Sequence, residues 1–326
     1  MKLVLAIGAL AVLAACSGRQ SPNAIPASSL SQARSHKATS GDLLYTLGTN
    51  GTVYIYTYPG GAPAGQLTEF DGNSGLCTDA AGDVFIPSIT GPKTRSSTIY
   101  EYAHGGTTPI ASLSDEGSAF GCAVDPKTGN LAVVNGFDEF NPYGKFSSVA
   151  LYAGAQGNAT MYFSPSLGMW SDSYDNKGNL YLATTTSRKD HAGIAVLRPG
   201  SSTFERIRFR TALYYNPSLF LPTVQWDGQY LAVTSNKRFS NPATLYQLSI
   251  SGRKASIVTS STLENRHHIG WSYIDGSTMI GVEQTSGWNV LSLWAYPQGG
   301  EPQSQILKVL KKNDGKLFGV VVSPGS

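Results

Sequence analysis

Residues Phe120 to Val134 read F-G-C-A-V-D-P-K-T-G-N-L-A-V-V. Apolar residues run up to Asp125, a Pro-x-x-Gly reversal follows, and Leu131 to Val134 resume the apolar run. This is a strand, a tight turn and a second strand. The first half recurs at the far end of the chain as Phe318 to Pro324, F-G-V-V-V-S-P, with two residues left after it. Its missing second half stands near the other end, as Gly41-Asp42-Leu43-Leu44-Tyr45. A unit whose halves lie at opposite ends of a chain predicts a closed ring of repeats.

The turn glycines give the period. Gly41, Gly82, Gly129, Gly178, Gly228, Gly276 and Gly325 are separated by 41, 47, 49, 50, 48 and 49 residues. Units of that length accommodate four strands each. The inner strands fall at Gly75–Asp79, Gly121–Asp125, Ser171–Asp175, Thr223–Asp227, Trp271–Asp275 and Gly319–Ser323. Second strands follow each turn, and third strands alternate with period two, as in T-V-Y-I-Y-T-Y from Thr52 and A-T-L-Y-Q-L from Ala243. Glycine-bearing reversals such as Pro59-Gly60-Gly61 and Gly299-Gly300 precede a fourth strand. The expected fold is all-β: a six-bladed β-propeller of four-stranded antiparallel blades. Its last blade pairs the C-terminal inner strand with N-terminal strands, which hides edges that would otherwise stay open.

Composition agrees with short strands and many turns, since 36 Gly and 17 Pro leave little room for periodic helices. A net charge of +3 without a basic cluster excludes nucleic acid as an expected partner. Residues 1–15 read as a targeting segment: Lys2, then an uninterrupted apolar and small run from Leu3, too short for a permanent span. The run ends in Leu13-Ala14-Ala15-Cys16, which resembles the bacterial lipobox. That resemblance implies lipid on Cys16, attachment to a membrane, and a domain held outside the cytoplasm in the cell envelope. Ser17 in the next position resembles the outer-membrane sorting preference. Residues 16–40, rich in Ser, Ala and Gln, read as a flexible tether, and 41–326 as the propeller.

The repeat text, best seen in Gly121–Val133 and Asp175–Leu182, resembles NHL and gluconolactonase-like six-bladed propellers. The resemblance implies the scaffold, which hosts binding proteins and enzymes alike. The enzymes of that group hold a divalent cation in the channel, so a metal-dependent lactonase-type hydrolase is the alternative to a binding or scaffolding module. The ligand motifs do not map onto this chain residue by residue. No cofactor is therefore expected outside that alternative, and the partner is an unspecified small molecule, glycan or protein.

Turn aspartates Asp79, Asp125, Asp175, Asp227 and Asp275 read as turn punctuation, each placed to accept backbone N–H bonds. Cys77 and Cys122, on neighbouring inner strands, form either a disulfide or two buried thiols. Loops from strand four to the next strand one, and from strand two to strand three, share one face and are the long ones. Candidate ligand-binding residues on that face are Glu116, Asp138, Glu139, His267, His268 and Glu283. The His267-His268 pair enters an inner strand, where it could act as a base or metal ligand or be simply hydrogen-bonded at the rim.

Overall fold

The computed structural model describes residues 41–325 apart from 72–74, 91–95, 137–146, 165, 187–191, 210–222, 237–241, 265–266, 285–288 and 311–314. The leader, the tether, Asp138 and Glu139 lie outside the described residues.

Apolar alternation and glycine turns produce twenty-four strands among the described residues, and these pair into six four-stranded antiparallel units. Blade one is β4 (Cys77–Thr78), β5 (Val84–Thr90), β6 (Ser96–Tyr102) and β7 (Ala111–Asp115). Blade two holds β8 (Ala119–Val124), β9 (Leu131–Asn135), β10 (Ser147–Tyr152) and β11 (Thr160–Ser164). Blade three comprises β12 (Leu167–Tyr174), β13 (Leu180–Thr186), β14 (Ala192–Leu197) and β15 (Glu205–Phe209). Blade four contains β16 (Thr223–Trp226), β17 (Leu231–Asn236), β18 (Ala243–Ser251) and β19 (Lys254–Leu263). Blade five is made of β20 (His268–Asp275), β21 (Thr278–Gln284), β22 (Asn289–Ala295) and β23 (Gly299–Leu310). The sixth blade joins β24 (Leu317–Ser323) to β1 (Leu43–Gly48), β2 (Val53–Thr57) and β3 (Pro63–Leu67).

Four of the turn aspartates, Asp79, Asp125, Asp175 and Asp227, accept backbone amides as their position requires. Asp79 Oδ1 accepts the Ala81 and Asp83 amides at 2.9 Å each, and Asp175 Oδ1 accepts those of Lys177 and Asn179 at 2.8 and 2.9 Å. Asp227 does the same with Gln229 and Tyr230, and its other oxygen accepts bonds from Gln247 and the Tyr296 hydroxyl of blade five. Burial alone would raise the Asp227 carboxyl, but the bond from Tyr296, then the amides of Tyr230 and Gln229, then Gln247, hold it below its ordinary value.

Between blades lie six hydrophobic clusters, each fed by two adjacent sheets. The outer strands of blades three, four and five also adjoin: β15 meets β19 in parallel at Arg208↔Lys254, and β19 meets β23 at Leu263↔Gly300.

Closure rests on β24 and β1, antiparallel from Leu43↔Ser323 to Gly48↔Leu317. The turn that a continuous chain supplies elsewhere is here assembled from both ends, with the Gly325 amide donating to Asp42 Oδ1 at 2.8 Å. Gly82 of blade one, at φ +89°, seats against this junction: a Cβ there would stand 2.5 Å from the Pro324 carbonyl oxygen. The Ser323 hydroxyl donates to the Gly82 carbonyl at 2.5 Å, and the His104 ring bridges Ser323 Oγ at 2.6 Å and the Gly41 carbonyl at 3.1 Å.

Val320, Val321, Val322 and Leu317 of β24 are 0–4% exposed. Each such side chain contributes about 1.5–3 kcal/mol on burial, so together they rival the whole net stability of a domain, roughly 5–15 kcal/mol. Deleting residues 317–326 is expected to abolish the single cooperative thermal transition followed by circular dichroism. An unchanged melt would contradict ring closure through β24.

Candidate functional site

The inner strands approach the axis side by side, and each is made to fit by local sequence. In four of them the ladder skips a residue near the end from which the strand enters. The register jumps from Ala119 to Gly121, from Met169 to Ser171, from Ile269 to Ser272, and opposite Thr46/Leu47 in β24. A bulge of this kind bends the strand and re-aims the extra side chain. The residues released are Phe120, Trp170, the pair Gly270-Trp271, and Gly319. Phe120 and Trp170 meet edge to face with centroids 5.3 Å apart. The Trp271 ring crosses toward blades one and two: a Cβ on Gly75 would lie 3.0 Å from Trp271 Cζ3 and 3.5 Å from the Gly121 Cα. Glycine at Gly75 leaves the room that this ring occupies.

Below Trp271 lies an axial cavity of about 330 Å³, lined by inner-strand residues of all six blades. Its walls are hydroxyl, amide and aromatic side chains from blades three to five, faced by small aliphatic residues and the Cys77–Cys122 pair. Three exposed residues of the short strand-one-to-strand-two turns, Pro126, Asn176 and Gly228, belong to the lining. The cavity thus reaches solvent on the short-turn side.

Most wall polar groups are spent in ties between blades. Ser171 Oγ accepts the Val224 amide at 3.2 Å, and Ser173 Oγ accepts the Trp226 amide at 2.8 Å. Gln225 makes a two-way bond with the Ile274 backbone, 2.7 Å in each direction. Thr78 donates to the Val322 carbonyl at 3.3 Å, and Thr223 and Ser272 share a hydroxyl bond of 2.5 Å. Cys77 and Cys122 are joined as a disulfide across blades one and two, with Cα atoms 5.6 Å apart.

Asp172 is different. It lines the cavity on β12, is 8% exposed, and both carboxyl oxygens are buried without a hydrogen-bond partner. Gly121 packs against it, since a Cβ there would come 3.2 Å from Asp172 Oδ1. Burial pushes this carboxyl well above the ordinary carboxylate range and so disfavours its charged form. Tyr174, two residues on, is raised by burial and then by Asp172, and its hydroxyl also lacks a partner.

The residues expected on the long-loop rim are spread out. Glu116 is exposed, and His267 and His268 are half-buried at the entry to β20. Burial, then the charge of His267, lowers the His268 imidazole. Glu283 lies inside β21 rather than in the loop beyond it, is 3% exposed, and accepts the Ser292 hydroxyl, itself bonded by Gln305 at 3.0 Å. The ladder sets Glu283 opposite Ile269 and His268 opposite Gln284, so the two side chains leave opposite faces of one sheet. Among the described residues no three His, Cys, Asp or Glu side chains converge as a metal-binding group.

Beside Glu116 the buried Asp115 carboxyl accepts bonds at 3.1 Å from both Asn135 Nδ2 and the Gly117 amide. Asp115 Oδ2 and Asn135 Oδ1 are both buried acceptors without a donor. A proton on Asp115 converts one of them into a donor, and burial pushes this carboxyl up to about 6. Sequence reasoning passed over Asp115 and Asp172. The signal was there in W-S-D-S-Y, where a carboxylate interrupts a buried strand instead of ending it.

No protein-family model matches the chain, and no curated protein matches it in sequence. Solved structures match in fold. TolB from Acinetobacter baumannii shares 14% identity at a TM-score of 0.59, with 88% of this chain and 68% of that one covered. A putative TolB from Agrobacterium tumefaciens shares 12% at 0.53, covering 87% and 98%. A functionally unknown protein from Desulfotomaculum acetoxidans DSM 771 shares 12% at 0.54, covering 90% of each. Identities this low carry the propeller alone, and the NHL and gluconolactonase-like resemblance is supported to that depth, with no family assigned.

Two outcomes follow from these side chains. Because Asp115 titrates near 6 in the fold and about 4 when unfolded, its contribution is full below pH 4 and is lost as pH rises to 6. The loss is about 3 kcal/mol, and Asp115→Asn, which cannot ionise, should flatten the stability profile in that window by denaturant titration. An equally steep profile in the variant would refute the assignment. Replacing both Cys77 and Cys122 by Ala should cost about 2–4 kcal/mol, read as a lowered urea midpoint that reductant no longer shifts.

Proposed function

We propose that the protein is a lipid-anchored β-propeller of the cell envelope that works as a binding module. The observation that carries this reading is the preformed axial cavity. Its wall is held by ties between strands rather than by loops, so a ligand meets a site that is already ordered. The Leu13-Ala14-Ala15-Cys16 sequence supports anchoring, with lipid on Cys16, an outer-membrane address from Ser17, and residues 16–40 as tether. Gly41 lies beside His104 and Gly82 on the short-turn side, so the tether would leave from the face on which the cavity opens.

The long-loop rim, with Glu116, His267 and His268, is the second surface available to a protein or glycan partner. A lactonase-type hydrolase would need several cation ligands at the axis, and among the described residues the cavity lining offers one carboxyl group, Asp172.

Fractionation tests the anchor: Cys16→Ala should move the protein from the membrane to the soluble envelope fraction, and retention in membranes would sink that part. For the binding site, a small-molecule extract of envelope should raise the melting temperature of the Cys16→Ala protein. The rise should persist in Glu116→Ala/His268→Ala and vanish in a cavity-mouth variant. The reverse pattern would move the site to the long-loop rim.

A further inference from the structure

The axial cavity has a chemical character that narrows what it can hold. Its lining contains no Lys, Arg, His or Glu side chain. The ionisable groups on it are Asp172, Tyr174 and Tyr273, together with cysteines that are bonded to each other. Burial raises Asp172 and Tyr174 and pushes Tyr273 up to about 12, so it disfavours charge on each of them, and no cationic side chain lines the wall. A charged ligand entering such a space sheds hydration, and an anion meets no opposite charge there to offset the loss.

The wall is also two-sided. Blades three, four and five contribute Tyr174, Trp226, Trp271 and Tyr273; blades six, one and two contribute Val320, Val321, Leu76, Ala123 and the disulfide. Trp226 is held from behind by Tyr181, whose ring stacks on it at 10° with centroids 6.4 Å apart. Unpartnered polar atoms concentrate on the same aromatic side. Trp226 Nε1, the Tyr174 hydroxyl and the Asp172 carboxyl are all buried without a bond. Trp226 Nε1–H can only donate and the Tyr174 hydroxyl can donate as well as accept, so an acceptor oxygen on a ligand suits this half of the wall. A buried donor left unsatisfied is costly, and a ligand oxygen that reaches one recovers part of that cost. At about 330 Å³ the space is at the small end of the range for compact ring compounds, roughly 300–1,000 Å³.

We infer that the axial cavity binds an uncharged, flat ring compound whose carbonyl or ether oxygens face β12 and β16 and whose apolar face meets the aliphatic half of the wall. This assignment rests on the binding-module reading and adds the ligand's charge, shape and polarity to it.

The test uses the full chain carrying Cys16→Ala and two probes built on one ring system. These are 7-amino-4-methylcoumarin, which is uncharged, and coumarin-3-carboxylate, an anion. Binding is read as energy transfer from tryptophan to coumarin during titration. The neutral probe should saturate, with the anion binding at least tenfold more weakly. Asn176→Trp, at the exposed mouth, should weaken the neutral probe at least tenfold without changing the melting temperature, whereas Glu116→Ala should leave it as it was. Equal affinity for the two probes, no binding of either, or full binding in Asn176→Trp overturns the proposal. If it falls while an envelope extract still raises the melting temperature, the binding-module reading stands and only the ligand chemistry is wrong.

Discussion

Inner strands of neighbouring blades belong to different sheets, so no backbone ladder runs around the axis. Circumferential contact there is made mainly by side chains, helped by a backbone bond from the Gly75 amide to the Phe120 carbonyl at 2.8 Å, and the rest of the ring depends on it. Five of the six joins use different chemistries. Thr78 reaches the Val322 carbonyl between blades one and six, and a disulfide links blades one and two. Two serines accept amides between blades three and four, and Gln225 acts as a substitute peptide group between four and five. The hydrogen bonds among them satisfy backbone groups that face the axis and would otherwise be buried unpaired. They also fix the cavity wall, because the atoms that hold the ring together are the atoms that line it. Between blades two and three the inner strands instead place Gly121 against the carboxyl of Asp172. That join is made by close approach, and it carries the unpartnered carboxyl of Asp172.

Farther from the axis the chain relies on ordinary apolar packing. Clusters between blades combine aliphatic strand residues with a few large rings, such as Trp294 between blades four and five, fully buried and packed with Ile269 and Leu245. The sheets twist as they stack, and only on blades three to five do the outermost strands come close enough to bridge. The ring is therefore belted on one half of its circumference and not, among the described residues, on the other.

Much of this architecture could be read in the chain because its causes are local and repeated. Glycine after aspartate fixes each turn, period-two alternation fixes the third strands, and the divided F-G-x-x-V-x-P unit predicts closure. Ser171–Asp175 shows where such reading stops. Its alternation puts Ser171 and Ser173 on one side and Asp172 on the other. Which neighbour each side meets depends on how the blades sit against each other, and that is not written in the strand. The bulges at Phe120, Trp170 and Trp271 were not legible for a related reason: a skipped residue leaves composition and spacing unchanged. Whether Cys77 and Cys122 could meet turned on the relative height of two strands, which the structure sets at a Cα separation of 5.6 Å. Glu283 reads as a loop residue because β21 runs two residues beyond the apolar stretch Met279 to Val282, ending at Gln284.

The junction of the two chain ends has a topological consequence. Gly325 and Asp42 already make the hydrogen bond of a tight turn, so a peptide link of a few residues between the ends would turn the sixth blade into a continuous copy of the others. The order of blades in the gene is then one of several equivalent ways to cut the same circle. A permuted chain that starts in the Lys127-Thr128 turn would close through blade two, where the disulfide and Cys122 sit on the inner strand that becomes terminal. In that arrangement a covalent bond would fasten the closing strand to blade one. The natural cut places its closing strand instead under hydrogen bonds and buried valines alone, which makes ring opening at blade six a reversible, non-covalent event.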